Sequence, residues 1–403
     1  MIATPLATLR QDNRAILPDL VALRTTLHRH PELGLELPAT QRIVIDALAG
    51  LDLEVVTGRE LTSVVAVLRG GRPGPSVLLR ADMDALPVTE DSSEEFPSDI
   101  PGLMHACGHD LHTAGLVGAA RLLDARRSEI AGSVVFMFQP GEERPGGAQP
   151  MIEEGVLEAA GDRVVAAYGL HVVSAMYPTG VVATRPGAIL AANDEMTVTV
   201  NGRGGHGSMP HLAADPTTVI AEIILALQVI VTRQFDVFDP VVLSVGTIQA
   251  GTVSNVIPET ATIRASIRTF SEPTHARVPQ VLARLCHGIC DAHGLTATVD
   301  YQRGYPVTVN DTTEAARVAE VATQILGSDG YVPAPQPIPG SEDFSYVLAQ
   351  VPGAFFGVGA TPAGLDPLTA AYNHSPQATF NTDALAVGPA VLAGLALARL
   401  GEG

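Results

Sequence analysis

The chain has 403 residues, of which 46% are hydrophobic and 17% are charged, and its formal net charge is -19 at pH 7. This length exceeds what a single hydrophobic core usually organises, so we expect a compact protein of two domains. The strongly negative charge argues against nucleic acid and against anionic membrane surfaces as partners, because both attract basic proteins.

The amino-terminal part of the sequence does not resemble a secretory signal. It carries Arg10, Asp12 and Arg14 where a signal peptide would need an uninterrupted apolar run. The longest apolar stretch, VIAEIILALQVIV, contains Glu222 and Gln228 and is too short to cross a bilayer. We therefore expect a cytoplasmic protein with no membrane-spanning segment.

Strand-like and helix-like segments alternate over about the first 190 residues. The strand-like segments are SVVAVLRG, PSVLLRADMDAL, GSVVFMFQPGEE and RVVAAYGLHV, and HTAGLVGAARLLDARRSE is a helix-like segment between them. Continuous apolar strands separated by helices are typical of an α/β domain with a mostly parallel sheet. In such sheets the functional groups gather beyond the carboxyl ends of the strands.

Three of these strand-like segments deliver ionisable groups at their carboxyl ends. Asp82 and Asp84 follow SVLLR, Glu142 and Glu143 follow SVVFMFQ through a Pro-Gly turn, and His171 closes VVAAYGL. Because the carboxyl ends of parallel strands meet at one edge of a sheet, we expect these five side chains to lie close together.

The stretch MHACGHD places a cysteine between two histidines. This thiol could be half of a disulfide, a nucleophile beside a base, a metal ligand or a small buried side chain. The chain has three cysteines, and so small and odd a set is not a disulfide framework. Cys286 and Cys290 lie four residues apart on one predicted helix face, where we expect two small core residues.

Beyond the first α/β segment the pattern changes to β-α-β-β-α-β. EMTVTVNGRGG precedes a helical run from Pro216 to Phe235; VVLSVGTIQAG and ETATIRASIRTF precede a helix around LARLCHGICDAHG, and TATVDYQRGYP follows. This order is typical of a ferredoxin-like fold. The α/β pattern then returns with GAFFGVG as a strand and DALAVGPAVLAGLALARL as a closing helix. We predict an α/β domain over 1–190 and 307–403, interrupted by a ferredoxin-like domain over 191–306.

Several of the candidate side chains are of types that bind Zn²⁺ and similar ions. Gly108 lets the backbone turn so that both Cys107 and His109 can face one point. Each candidate alone is weak, because a buried histidine is more often a hydrogen-bonded core residue. The adjacent Glu142 and Glu143 have no obvious structural use. A functional use is available, because one carboxylate could bind metal while its neighbour acts as a base. The candidate ligands are Cys107, His109, Glu143, His171 and His374.

Eight motifs occur in order over nearly the whole chain: RADMDALP, MHACGHDLHTA, FQPGEE, YGLHV, GRGGHGSMPH, TVSNVIPE, GSEDFSY and NHSPQATF. Together they resemble the aminoacylase and carboxypeptidase superfamily of metal-dependent amidohydrolases. They are most similar to its branch of hippurate hydrolase, indole-acetyl-amino-acid hydrolases and N-acetyl-diaminopimelate deacetylase. The resemblance implies a zinc-peptidase-like catalytic α/β domain, interrupted by a ferredoxin-like lid that usually dimerises, and hence a homodimer or dimer-based homo-oligomer.

The resemblance implies two divalent metal ions in each subunit, with Zn, Mn, Co or Ni as the candidates. Cys107 would bridge both ions, in a place where other branches use an aspartate. Glu143 and His374 would complete the shell of one ion, and His109 and His171 would complete the shell of the other.

The resemblance also implies roles for the neighbouring carboxylates. Glu142 would be the general base, and Asp84 would orient the groups around the ions. Many branches carry a histidine ligand at the position of Asp82; here His109 would take over that duty, and the role of Asp82 stays open. The remaining histidines near the site, His28, His30, His105 and His112, could donate hydrogen bonds to ligands.

In the lid, the resemblance assigns His206 as a hydrogen-bond donor that reaches the reacting carbonyl from the partner subunit. Asn255 and Arg268 match positions that hold the carboxylate of the substrate, and a guanidinium suits that task because it pairs with a carboxylate in bidentate fashion. Without the resemblance, His206 reads equally as part of a glycine-rich turn and Arg268 as a solvated strand residue.

These observations predict hydrolysis of small-molecule N-acyl amino acids, with release of a carboxylic acid and a free amino acid. A dipeptidase or carboxypeptidase with the same two-metal site is the close alternative. A Cys-His hydrolase with Cys107 as nucleophile is a second, and a metal- or peptide-binding relative without turnover is a third. Glu142 argues against the third, because a pure binder needs no spare carboxylate beside its ligands.

Overall fold

The computed structural model describes residues 6–401, which divide into two compact units. The first unit holds the described residues of Met1–Gly187, Val309–Gln336 and Tyr346–Gly403, and the second holds Ala188–Thr308 and Pro337–Ser345. The short segment Pro337–Ser345 belongs to the second unit because the backbone N–H of Ala191 donates to the carbonyls of Ile338 and Gly340.

Strands occur along the whole described chain. Their bounds are β1 (Glu54–Thr57), β2 (Val64–Arg69), β3 (Arg72–Asp82), β4 (Ala131–Gln139), β5 (Ala166–Val173), β6 (Val182–Thr184), β7 (Gly187–Leu190), β8 (Ala192–Asn201), β9 (Gly205–His206), β10 (Val242–Ala250), β11 (Val256–Ile257), β12 (Thr260–Thr269), β13 (Thr296–Arg303), β14 (Thr308–Asn310), β15 (Tyr331–Pro333) and β16 (Gly353–Gly359).

Helices alternate with the strands. Their bounds are α1 (Ala7–Arg29), α2 (Pro38–Leu48), α3 (His109–Asp124), α4 (Ala148–Glu153), α5 (Pro216–Arg233), α6 (Glu272–Ala292), α7 (Thr312–Leu326), α8 (Ser345–Leu348) and α9 (Gly388–Leu400).

The first unit is built on an eight-stranded sheet in the order β1-β2-β4-β3-β5-β16-β6-β15. At its centre, β3 runs parallel to β4 and to β5, and β5 runs parallel to β16. The edge formed by β1 and β2 is antiparallel. Helices α3 and α9 lie against β3, and α1 packs on α3. The predicted α/β class with a mostly parallel sheet is confirmed.

The second unit is a four-stranded antiparallel sheet in the order β10-β12-β8-β13. Along β8 every second residue is buried, so Met196, Val198 and Val200 point into a core that α5 and α6 cover. The chain order of these elements is β8-α5-β10-β12-α6-β13. The predicted ferredoxin-like insert is therefore present.

Two helical segments, α5 and Thr382–Leu400, are long and apolar enough to cross a membrane by length and composition. Core helices pass the same test. Thr382–Leu400 is 72% buried within its own unit, and α5 buries Ile223, Leu227 and Ile230 in the core of the second unit. Core packing thus accounts for Thr382–Leu400, whereas α5 is 33% buried and leaves Leu225 and Val229 exposed.

Candidate active site

The carboxyl ends of three neighbouring parallel strands form the floor of the candidate site. Asp82 ends β3 and is paired in register with Gln139, which ends β4. His171 lies within β5, two residues before its end at Val173, so the strand continues past the residue that we expected to close it. The sheet therefore delivers functional groups from β3, β4 and β5 to one edge, as the strand pattern predicted.

The turn between Cys107 and His109 depends on the glycine between them. Gly108 has a φ of 82°, a left-handed conformation that favours glycine, and it precedes the first residue of α3. A Cβ atom at this position would lie 2.4 Å from Cγ2 of Val172 and 3.1 Å from Cε1 of Phe380. Only glycine fits here, and α3 consequently begins with the His109 side chain buried at the site.

Cys107, His109 and His171 form one group of possible metal ligands, with their donor atoms within 4.8 Å of one another. The Sγ of Cys107 lies 3.3 Å from Nε2 of His171, whose Nδ1 donates to the carbonyl of Val172. His109 donates from Nδ1 to the carbonyl of Asp84, 2.8 Å away, and its buried Nε2 makes no hydrogen bond to any described residue. A metal ion would satisfy this imidazole nitrogen.

Cys107 belongs to a second such group, with Glu143 and His374. The Nε2 of His374 lies 3.2 Å from the Sγ of Cys107 and 2.9 Å from Oε1 of Glu143. Hydrogen bonds to Cys107 and Glu143 raise the pKa of His374 to about 10. Side chains that draw a proton onto His374 would equally attract a cation, and thiolate, imidazole and carboxylate together suit Zn²⁺ and related ions.

The backbone of His374 is also unusual, because its φ is 72° although it is not a glycine. Its backbone N–H donates to the carbonyl of Ala106, 2.8 Å away, which helps to hold this conformation. Left-handed backbone at a residue with a side chain is uncommon and costs energy, and strained residues of this kind cluster at functional sites.

Asp84 holds the two adjacent glutamates in place. Its Oδ1 accepts a hydrogen bond from the backbone N–H of Glu142 at 2.8 Å, and its Oδ2 accepts one from that of Glu143 at 3.0 Å. The Glu142 side chain is buried, and its carboxylate lies within 4.8 Å of donor atoms of His109 and Glu143. One aspartate thus holds the backbone of both glutamates and, through its carbonyl, the ring of His109.

Asp82, whose role the sequence left open, is a buried carboxylate with both oxygens engaged. Nη1 of Arg80 donates to Oδ2 at 2.6 Å, and Nδ1 of His112 donates to Oδ1 at 2.5 Å. Burial favours the neutral acid, but the charge of Arg80 and the contacts with His109 and His112 outweigh it and hold the pKa of Asp82 well below its usual range. Arg80 and His112 thus engage both oxygens of Asp82, and its carboxylate also belongs to a group of possible metal ligands with His109 and His112.

His112 connects the pair of Arg80 and Asp82 to β5, the strand that carries His171. The backbone N–H of Val172 donates to its Nε2 at 2.8 Å, so the proton of the ring sits on Nδ1. The ring also packs edge-on against His171, with centroids 4.7 Å apart. Burial and the neighbouring His112 keep the pKa of His171 well below its usual range, which leaves His171 neutral as a ligand must be.

Asn373, which was not among the predicted site residues, hydrogen-bonds to the backbone beside two candidate ligands, Cys107 and His171. Its Nδ2 donates to the carbonyls of Cys107 at 3.2 Å and Val172 at 3.0 Å, and its Oδ1 accepts from the backbone N–H of Ser174. The available signal was an amide directly before the candidate ligand His374.

A buried group of charged residues lies beneath the first turn of α3, and its member Arg24 was not predicted. Arg24 and His28 of α1 both bind Oδ2 of Asp110, at 3.0 and 2.9 Å, and the two bases also contact Glu94 and Glu90. His28 therefore supports Asp110 and does not donate to a metal ligand. No local signal marks Arg24, because 86 residues separate it from Asp110.

The candidates in the second unit fall into two places. His206 in β9 pairs with Val256 in β11, and the backbone N–H of Gly207 donates to the carbonyl of Asn255 at 2.8 Å. His206 and Asn255 are therefore neighbours on one short ribbon. The ribbon is followed by β12, which begins at Thr260. Arg268 lies near the far end of β12, eight residues beyond Thr260, which is about 26 Å at about 3.3 Å per residue.

Comparison with known proteins agrees with this architecture. Residues 78–398 match the family model of Peptidase family M20/M25/M40. The chain is 39% identical over 393 residues to "Thermostable carboxypeptidase 2" of Saccharolobus solfataricus, covering 96% of this chain and 97% of that protein. It is 35% identical over 381 residues to "N-acetylcysteine deacetylase" of Bacillus subtilis, covering 94% and 96%.

Among solved structures, the Bacillus subtilis YXEP protein, described as a dinuclear metal binding peptidase from the M20 family, is 33% identical. It superposes with a TM-score of 0.83 and covers 96% of this chain and 99% of its own. The fold and these likenesses confirm the resemblance read from the motifs. The chain belongs to peptidase family M20/M25/M40.

Proposed function

We propose that this chain is a metal-dependent hydrolase that cleaves the amide bond of small N-acyl amino acids and releases a carboxylic acid and a free amino acid. One observation carries the proposal. Two groups of possible metal ligands share Cys107, one with His109 and His171 and the other with Glu143 and His374, and the buried carboxylate of Glu142 lies beside them. Family membership and the likeness to N-acetylcysteine deacetylase support the same chemistry.

Two divalent ions, of Zn, Mn, Co or Ni, would be held by the five side chains already described. Cys107 would be shared, Glu143 and His374 would complete one set, and His109 and His171 the other. When bound, such a pair makes a water molecule more acidic and polarises the carbonyl of the amide. Support comes from the buried Nε2 of His109, which makes no hydrogen bond to a described residue, and from the strong pull of Cys107 and Glu143 on the His374 proton.

Glu142 would move the protons. It would accept a proton from the attacking water and deliver it to the amine that leaves, as a positioned carboxylate does in general acid-base catalysis. Asp84 would keep this carboxylate aimed, since its Oδ1 binds the backbone N–H of Glu142. The amide carbon would thus gain oxygen from water while its bond to nitrogen breaks.

The lid would supply groups that bind the substrate. His206 would donate a hydrogen bond to the developing oxyanion, and Asn255 and Arg268 would hold the substrate carboxylate. One lid would not bring all of these to one site, because Arg268 lies about 26 Å along β12 from Thr260, the end that follows the ribbon in the chain. We therefore propose a homodimer in which the His206 ribbon of each chain serves the site of its partner.

A cytoplasmic location agrees with the thiols. All three cysteines are free, and Cys107 must stay reduced to bind metal, which a reducing compartment ensures.

A second candidate function is that of a carboxypeptidase or dipeptidase. The likeness to Thermostable carboxypeptidase 2 favours it, and the same arrangement of ligands and base would cleave a peptide bond.

The test is a hydrolysis screen with a metal-free preparation. We expect no turnover after chelation and recovery with Zn²⁺, Mn²⁺, Co²⁺ or Ni²⁺, with N-acetyl, N-benzoyl or indole-acetyl amino acids cleaved faster than dipeptides. Glu142→Gln should lower kcat by about 100- to 10,000-fold yet retain metal. The matched variant Glu143→Gln should instead lose metal.

Full turnover without metal would contradict the proposal, as would a near-normal kcat for Glu142→Gln. Faster cleavage of dipeptides would favour the second candidate.

A further inference from the structure

The ring of His206 makes two contacts within its own loop. The backbone N–H of Ser208 lies 3.2 Å from Nδ1, and Oγ of Ser208 lies 2.8 Å from the same atom. The imidazole and Ser208 are both exposed on the surface of the chain, so no surrounding core dictates the orientation of the ring. The loop itself supplies the partners that do so.

The backbone contact decides where the proton of the neutral ring resides. A backbone N–H can only donate, so Nδ1 must be the acceptor, and the ring proton then belongs to Nε2. The hydroxyl of Ser208 can adapt, because it rotates to donate to the same lone pair. If the proton were on Nδ1, it would face the N–H of Ser208 and the contact would become repulsive.

Backbone pairing in the short ribbon holds His206 and the following loop, which carries Ser208, in place. His206 in β9 pairs with Val256 in β11, and Gly207 donates to the carbonyl of Asn255. The two strands approach closely at Gly207, because a Cβ there would lie 3.0 Å from the carbonyl oxygen of Asn255, which is tighter than most such contacts. The position of Ser208 relative to the ring is thus set by backbone pairing and not by a flexible side chain.

We propose that Ser208 is a positioning residue that holds His206 as the neutral tautomer with its proton on Nε2. The ring is then a hydrogen-bond donor at Nε2, as a developing oxyanion requires, and it cannot act there as a base. This inference rests on the proposed function, because it concerns how the lid histidine meets the reacting carbonyl.

The tautomer can be measured without any assay of turnover. The full-length zinc-loaded enzyme, labelled with ¹⁵N-histidine, is studied by NMR at a pH of about 8, where an ordinary histidine is neutral. Comparison with His206→Gln assigns the signals of His206. We expect a proton on Nε2 and none on Nδ1, in the wild type and in Ser208→Ala, which keeps the backbone donor. A proton on Nδ1, or an equal mixture, overturns the inference.

Variant kinetics test what the tautomer does. The side chain of glutamine places an N–H near the position of Nε2, and that of asparagine places one near Nδ1. We expect His206→Asn to lower kcat by about 100- to 1,000-fold, as the loss of an oxyanion donor does, and His206→Gln to lose clearly less. Equal losses in the two variants overturn the donor assignment.

Ser208 itself offers a matched pair of substitutions. Ser208→Ala keeps the backbone donor and should lower kcat by about two- to tenfold, the effect of one neutral hydrogen bond. Ser208→Pro removes the donor and should lose kcat to the same degree as His206→Asn, with KM and metal content little changed. Equal kcat values for the two Ser208 variants contradict the inference; if Ser208→Pro does not fold, the NMR result decides.

The failure of the inference can be told from the failure of the proposed function. If chelation leaves turnover intact, the proposed function is wrong whatever the tautomer of His206. If turnover needs metal and Glu142 but the proton of His206 lies on Nδ1, the proposed hydrolase function is supported and the proposed role of Ser208 is wrong.

Discussion

Cys107 shows how one residue depends on its surroundings. The other two cysteines are fully buried in the core of the second unit, and burial raises the pKa of the Cys286 thiol to about 12. The Sγ of Cys107 instead lies within 3.3 Å of an imidazole nitrogen on either side, from His171 and His374. The same residue type is therefore inert in one place and a candidate ligand in the other.

The reactivity of Cys107 should depend on metal. With the ions bound, the thiolate is occupied, so we expect iodoacetamide to modify Cys107 rapidly in the chelated enzyme and slowly in the zinc-loaded enzyme. Peptide mass spectrometry measures both rates. Cys286 and Cys290 serve as internal controls, because they should remain unmodified in either state. Equal rates at Cys107 with and without metal would favour the Cys-His hydrolase over the two-metal site.

At the scale of elements, α1 and α3 meet through buried charges. Arg24 and His28 lie one turn apart on α1 and bind the same oxygen of Asp110 in the first turn of α3, next to His109. Burial alone would lower the pKa of His28, but the hydrogen bond and charge of Asp110 outweigh it and raise the pKa to about 9. This contact fixes the start of the helix that carries a candidate ligand.

The stability that His28 contributes should depend on pH. Its folded pKa of about 9 lies above the unfolded value of 6.5, so the contribution is fully present below pH 6.5 and is lost as the pH rises through 9. A shift of this size corresponds to about 3 kcal/mol. In excess chelator, the difference in free energy of unfolding between wild type and His28→Gln should shrink by about that amount between pH 6 and pH 9.5.

Urea denaturation followed by circular dichroism measures these free energies. His287→Gln is the matched control, because His287 is an exposed histidine on α6. A difference for His28→Gln that stays constant over this range would show that His28 is not protonated in the fold.

At the scale of the whole molecule, the second unit sets a geometric constraint. The ribbon that carries His206 and Asn255 leads into β12 at Thr260, and Arg268 lies about 26 Å beyond Thr260 along that strand. A small N-acyl amino acid is too short to reach both Arg268 and the ribbon of the same chain. If all three residues act on the same substrate, two chains must contribute to each site.

Mixed dimers test this arrangement. Glu142→Gln and His206→Asn homodimers should both be nearly inactive, but mixing them by co-expression should restore about a quarter of wild-type activity. Half of randomly formed dimers are mixed, and each of these has one site with an intact Glu142 and an intact His206 from the other chain. The control mixture of Glu142→Gln with Glu143→Gln should show no recovery, since both defects lie in the first unit.

No recovery in the first mixture would mean that His206 serves the site of its own chain, or that no dimer exists. Size-exclusion chromatography with light scattering distinguishes these two outcomes.

The sequence by itself determined the class of both units and which residue types gather at the site. Strand periodicity, the β-α-β-β-α-β order and the positions of Asp84, Cys107 and Glu142 relative to strand and helix ends are local features, so they can be read along the chain. Glycine at position 108 is equally local, because a tight turn between two ligands needs it.

Only the tertiary structure decided which groups support those residues. Arg24 meets Asp110 across 86 positions, and Asn373 meets Cys107 across 266, and no spacing in the sequence encodes such pairs. The same holds for Asp82, whose engagement by Arg80 and His112 became visible only with β3, α3 and β5 in place. Hydrogen bonds and ion pairs depend on distances of a few ångströms, which the folded chain sets and the order of residues does not.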